Sequence, residues 1–194
     1  MKLDAVSGLL NEADYIASPN HDERPEGTVV SLIVVHGISL PPGEFGGPWI
    51  NDFFTNNLDS DQHPYFAEIS ELKVSSHFLI RRNGDLIQYV PVHQRAWHAG
   101  QSSFEGCSRC NDFSIGIELE GEDHIPYDDR QYASLIALIA LLMRSYPAIS
   151  MNNIVGHADI APGRKTDPGV AFDWSALRKK LSARLASSVD VYET

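Results

Sequence analysis

One segment of this chain concentrates reactive side chains. His157-Ala158-Asp159-Ile160-Ala161-Pro162-Gly163-Arg164-Lys165-Thr166-Asp167-Pro168-Gly169 carries an imidazole, an amine and, ten residues after the histidine, a carboxylate. Gly156, Pro162, Gly163, Pro168 and Gly169 predict a loop here, not a helix or a long strand. Far upstream, His36 follows the apolar run Leu32-Ile33-Val34-Val35. Together His36, His157 and Asp167 form a set of two histidines and one carboxylate. Zinc accepts such donors, and three protein ligands leave a fourth position for water. The chemistry would be metal-assisted hydrolysis. Against this, the chain has eight histidines, most histidines ligate nothing, and the spacing matches no short zinc signature such as H-E-x-x-H. On the residues alone, a metal hydrolase and a set of ordinary histidines both stand.

Such groups need a frame. The β-branched run Val29 to Val35 predicts a strand buried on both faces, with His36 at its end where the chain leaves the sheet. Gly43, Gly46, Gly47 and Pro48 predict a long loop, then a short helix through Trp49–Asn56. Val74 to Ile80 and Leu86 to Val90 flank Arg82-Asn83-Gly84-Asp85, and Asn-Gly between apolar runs is a strong hairpin signal. Ser114 to Leu119 is the next strand. Alternation puts Ser114, Gly116, Glu118 and Glu120 on one face and Ile115, Ile117 and Leu119 on the other. Periodicity does not choose between Glu118 and Glu120 as a reactive acid; Glu120, near the strand end, reads as solvated. Asp128 to Tyr146 has helical apolar spacing and ends before Pro147. Ile154-Val155 leads into His157, and Trp174 to Leu185 is a second amphipathic helix. Residues 1–27 read as an irregular N-terminal wrap. The expectation is an α/β (α+β) chain, a single domain over 1–194, with a central mixed β-sheet flanked by helices.

Composition sets bounds. A chain of 194 residues, 43% hydrophobic and 21% charged, is an ordinary globular domain with a sizeable core. The net charge of −11 argues against nucleic acid as a partner. No apolar run could span a bilayer, and the N-terminus lacks the long apolar stretch of a signal peptide. A cytoplasmic monomer without membrane contact is expected. Cys107 and Cys110 form a single C-x-x-C, read as two free thiols. A carboxylate-bearing substrate would need local positive charge. Arg81, Arg82, Arg95, Arg109, Arg164 and Lys165 are the candidates, with Arg81 and Arg82 read as solvated.

Three blocks go further. Val35-His36-Gly37-Ile38-Ser39-Leu40-Pro41-Pro42-Gly43-Glu44-Phe45-Gly46-Gly47-Pro48-Trp49-Ile50, Cys110-Asn111-Asp112-Phe113-Ser114-Ile115-Gly116-Ile117-Glu118-Leu119-Glu120-Gly121 and Arg164-Lys165-Thr166-Asp167-Pro168-Gly169 resemble site segments of the AmpD-type amidases. These lie within the wider N-acetylmuramoyl-L-alanine amidase and peptidoglycan-recognition superfamily. The likeness covers about Ser18 to Trp174 in the same order and spacing. It implies one Zn²⁺ held by His36, His157 and Asp167. It also implies Glu118 as general base, Lys165 at the developing oxyanion, and hydrolysis of 1,6-anhydro-muropeptides in cell-wall recycling. Trp97, Tyr65, Arg109 and Lys73 are the implied substrate contacts, Lys73 standing where the family has arginine. Gly37 departs from the asparagine common in the family, which puts a peptide contact in doubt. Ser76 before His77 departs from the phage-type catalytic tyrosine, and His77 reads as a hydrogen-bonded core histidine. A broader murein amidase and a non-catalytic recognition module are the competing readings.

Overall fold

The computed structural model describes residues 1–187. In chain order it contains β1 (Asp14–Tyr15), β2 (His21–Asp22), β3 (Leu32–Ile38), α1 (Trp49–Phe54), α2 (Pro64–Ile69), β4 (Phe78–Ile80) and β5 (Leu86–Gln88). There follow β6 (Arg95–Ala96), β7 (Ser103–Phe104), β8 (Cys107–Ser108), β9 (Ser114–Glu120), α3 (Asp129–Ser145), β10 (Ile154–Gly156), α4 (His157–Ile160) and α5 (Trp174–Ser187). The main sheet has the order β1-β5-β4-β9-β3-β10, with only the β4–β5 hairpin antiparallel. It is the mixed α/β architecture expected.

Strand alternation divides the core. Ile33, Val35, Phe78, Ile80, Ile115, Ile117 and Leu119 point to the face covered by α3 and α5. Leu79, Ile87 and Tyr89 pack under α1 and α2 on the other face, where Leu32 and Val34 form a separate cluster with Ala99, Cys110, Val155 and Ile160. The hairpin turns at Asn83-Gly84, where Gly84 has φ +89°, a conformation glycine adopts without steric cost. Helix α3 begins in a capping box of Asp128 and Gln131. The buried Gln131 amide also donates to the carbonyls of Ile80 and Glu120, tying the helix start to the ends of β4 and β9.

Several boundaries differ from expectation. β3 begins at Leu32, leaving Val29 exposed, and continues two residues past His36. Its pairing with β9 runs unbroken to Ile38 opposite Glu120, which keeps His36 inside the sheet. His157 opens the one-turn helix α4, not a loop; Asp159 folds back to accept from the Gly156 N–H at 2.7 Å. α2 was not foreseen, although His63 accepts from the Tyr65 N–H as its N-cap and Pro64 sits in its first turn. The segment 1–27 contributes the two short strands β1 and β2 and is otherwise irregular. Arg24 fastens it by donating to the carbonyls of Val92, Asn111, Asp112 and Ser114. Among the described residues, no helix is long and apolar enough to cross a membrane.

Candidate metal centre and active site

Register builds the site. His36 on β3 pairs with Glu118 on β9, so both side chains rise side by side from one sheet face. On the other side of β3, Gly156 pairs with Val35, which brings His157 to the level of His36. β3, β4 and β9 end within two residues beyond this level, and open α/β sheets generally bind ligands at the carboxyl ends of their strands. The backbone of Ala158 donates to the Asp167 carbonyl at 3.0 Å, closing the 157–167 excursion so that Asp167 returns to the two histidines.

His36 Nδ1 lies 3.0 Å from His157 Nδ1 and 3.2 Å from Asp167 Oδ2, and His157 Nδ1 lies 3.1 Å from that same oxygen. The near-equilateral triangle approaches the face of a tetrahedron about 3.3 Å on edge, that of a zinc ion with ligands at about 2.0 Å. Burial pulls His36 down to about 4, with Asp167 only partly opposing, so it is neutral near pH 7. Burial alone would push the Asp167 carboxyl up, but the two imidazoles hold it well below the usual range, ionised. Neutral imidazole beside carboxylate is the donor chemistry a divalent cation takes.

The triangle forms part of the floor of a cavity of about 540 Å³ that Tyr65, His98, Glu118 and Lys165 also line. Glu118 is buried, and its Oε2 has no hydrogen-bond partner among the described residues. Burial raises its pKa well above the ordinary value, Asp167 adds to the rise, and Lys165 opposes it. A carboxyl raised in this way holds a proton more tightly than an ordinary glutamate, the direction a proton-transfer group needs.

The N-acetylmuramoyl-L-alanine amidase family model matches residues 26–170, a span that includes every residue of this constellation. The chain belongs to that family. It is 58% identical over 176 residues to the 1,6-anhydro-N-acetylmuramyl-L-alanine amidase AmpD of Enterobacter cloacae, covering 91% of this chain and 94% of that one. A crystal structure of a selenomethionine AmpD derivative superposes with TM-score 0.89 at 57% identity, covering 93% of this chain and 99% of that one. The amidase AmiD from Escherichia coli, solved with anhydro-N-acetylmuramic acid-L-Ala-D-γ-Glu-L-Lys, matches at TM-score 0.57 and 31% identity. That match covers 81% of this chain and 60% of AmiD.

In this amidase the other expected residues fall into two groups. Tyr65 and Lys165 line the cavity. Trp97, Arg109 and Lys73 do not. The Trp97 indole N–H donates to Asp22 at 3.2 Å, which turns the ring toward β2. Arg109 is exposed and pairs with Asp112 at 3.2 Å. Lys73 is exposed between Leu72 and Val74, which do reach the cavity. The arginines are engaged elsewhere as well: Arg95 with Asp22 and Asp112, Arg164 with the carbonyls of Ala99 and Gln101. Of the six candidate cations, Lys165 lines the cavity and the five arginines do not.

Glu120 and Arg81 require correction. Neither is solvated: Glu120 is buried, accepts from Arg81 at 2.9 Å, and also accepts from the backbone N–H groups of Gly46 and Arg82. It anchors the 43–48 loop beside the cavity. Arg82 likewise donates to the Pro126 carbonyl at 2.8 Å. His77 is the hydrogen-bonded core histidine expected, with Nδ1 accepting from the Gly116 N–H and Nε2 beside the Gln94 carbonyl. His98, which its place beside Trp97 in the sequence puts at the groove, does line the cavity; what the sequence does not show is that its Nδ1 lies 2.9 Å from His36 Nε2.

Gly37 has a steric explanation. A Cβ there would overlap the Tyr127 hydroxyl, which donates to the Pro168 carbonyl at 2.9 Å, next to Asp167. Gly37→Ala should force Tyr127 off that carbonyl and destabilise the fold by about 1–3 kcal/mol, the usual cost of overpacking. Urea denaturation checks this. Tyr127→Phe in the same chain should recover part of the loss, and a neutral Gly37→Ala would remove the steric account.

Proposed function

We propose that this chain is a zinc-dependent amidase. It hydrolyses the bond between the lactyl group of 1,6-anhydro-N-acetylmuramic acid and L-alanine in muropeptides, as a cytoplasmic monomer in cell-wall recycling. The observation that carries the reading is the convergence of His36, His157 and Asp167 beside Glu118, whose Oε2 has no hydrogen-bond partner among the described residues. Identity to AmpD along most of the chain supports the choice of substrate.

An amide yields to water only if the water is deprotonated and the carbonyl oxygen is stabilised as it becomes negative. His36, His157 and Asp167 would hold the ion, and zinc bound there supplies acidified water and a Lewis acid for the carbonyl. Glu118 receives the proton at its free Oε2. Its raised pKa lets it pass that proton on to the departing alanine nitrogen. Lys165 places a positive charge at the cavity edge to stabilise the oxyanion. Tyr65 offers an aromatic wall to the sugar or the lactyl group. Trp97, Arg109 and Lys73 would need to rearrange to reach a substrate in this cavity.

The test compares an anhydro-muropeptide with its reducing-end counterpart, with products read by mass spectrometry. Free peptide should be released from the anhydro substrate with kcat/KM at least about tenfold higher, roughly 1.4 kcal/mol of transition-state discrimination. Equal rates would favour a broader murein amidase. Binding of both without cleavage would favour a recognition module.

A further inference from the structure

The three candidate ligand atoms are Nδ1, Nδ1 and a carboxylate oxygen, so each histidine has its Nε2 facing away from the site. The two Nε2 atoms meet adjacent residues of one segment. His157 Nε2 lies 3.2 Å from the Ala99 carbonyl, and His36 Nε2 lies 2.9 Å from His98 Nδ1. The Asn111 side chain fixes that segment by accepting from the His98 N–H at 3.1 Å and the Ala99 N–H at 2.7 Å. The His98 ring continues to Ser114, its Nε2 3.0 Å from the hydroxyl oxygen. His98 and Ser114 are both buried. The ring lies directly over Gly116, where a Cβ would come within 2.5 Å of His98 Cγ.

The two partners differ in kind. A carbonyl only accepts, so Ala99 at 3.2 Å favours the Nε2–H form of His157 with Nδ1 free, against the more distant Arg164 Nη2 at 3.5 Å, which donates to the same carbonyl. An imidazole can accept or donate, so the form of His36 depends on that of His98. We propose that His98 is a positioning residue for the metal centre, fixing His36 in the metal-binding tautomer through a relay that ends at Ser114. This inference rests on the zinc reading above. His36 Nε2–H donates to His98 Nδ1, and His98 Nε2–H donates to the Ser114 oxygen. The opposite polarity would put a proton on His36 Nδ1, where the ion must bind. Outer partners of this kind are generally worth tenfold to a hundredfold in metal affinity.

The experiment measures zinc dissociation constants by chelator competition for the wild type, His98→Leu and His98→Asn, each checked for cooperative melting. His98→Leu should bind zinc about 10- to 100-fold more weakly. His98→Asn keeps an acceptor oxygen near the position of Nδ1 and should recover most of the loss, which a packing role would not. Ring ¹⁵N spectra of the zinc-loaded wild type should show His98 protonated at Nε2, whether or not the variants fold. Equal affinity in all three proteins, an asparagine variant as weak as the leucine one, or His98 protonated at Nδ1 would each overturn the relay. A wild type that takes up no zinc would overturn the metal reading and the relay with it.

Discussion

Glu118→Gln is expected to lower turnover at least about a hundredfold, roughly 2.7 kcal/mol of transition-state stabilisation. Glutamine keeps the shape of the side chain and removes its capacity to take a proton. The zinc affinity should stay close to wild type, because Glu118 Oε1 lies 4.0 Å from His36 Nδ1 and is not one of the three converging donors. Stability should move the other way. Burial raises the folded-state pKa of Glu118 well above its ordinary 4.5. Its contribution to stability is therefore complete below about 4.5 and is lost as pH rises through the folded value. At neutral pH the metal-free glutamine variant should thus melt no lower than wild type, and by direction higher. Steady-state kinetics with thermal melts checks both halves. Turnover within about threefold of wild type would remove Glu118 from proton transfer.

The second large effect is loss of the metal. Asp167→Ala leaves two imidazoles, and two ligands hold zinc far less tightly than three. The expected loss exceeds the hundredfold of an outer partner, so dialysed protein should carry no zinc and show no measurable turnover. Lys165→Ala is the contrasting variant. Lys165 lines the cavity without belonging to the donor triangle, so its loss should spare metal content while lowering kcat. Metal analysis beside kinetics separates the two. An Asp167→Ala protein that retained one zinc per chain would place the third ligand elsewhere.

What the sequence made legible follows from which signals are local. The alternation through Ser114–Glu120 placed Ile115, Ile117 and Leu119 in the core and lifted Glu118 to the opposite face, as the structure has it. The spacing of apolar residues located α3 to within one residue at each end, because its cap at Asp128 and its stop at Pro147 are written in adjacent positions. The hairpin at Asn83-Gly84 was readable for the same reason. Errors arose where a distant residue decides the environment. Glu120 read as solvated because acids are rarely buried alone, yet Arg81, 39 residues away in sequence, supplies its partner across β4 and β9. His98 offered no ligand spacing, and its contact with His36 spans 62 residues. The contacts of Trp97 with Asp22, 75 residues away, and of Arg109 with Asp112 are likewise set by the fold and leave both side chains outside the cavity lining. The donor set itself needed the family resemblance: nothing local links His36 to a loop more than a hundred residues later.

Metal removal from the wild-type protein shows whether hydrolysis depends on an ion held by His36, His157 and Asp167. Purified protein is incubated with 1,6-anhydro-N-acetylmuramyl-tripeptide as isolated, after chelation, and after zinc is returned, with products read by mass spectrometry. Free tripeptide should be released by the protein as isolated, not after chelation, and again once about one zinc per chain is restored. Undiminished release from metal-free protein would contradict that dependence.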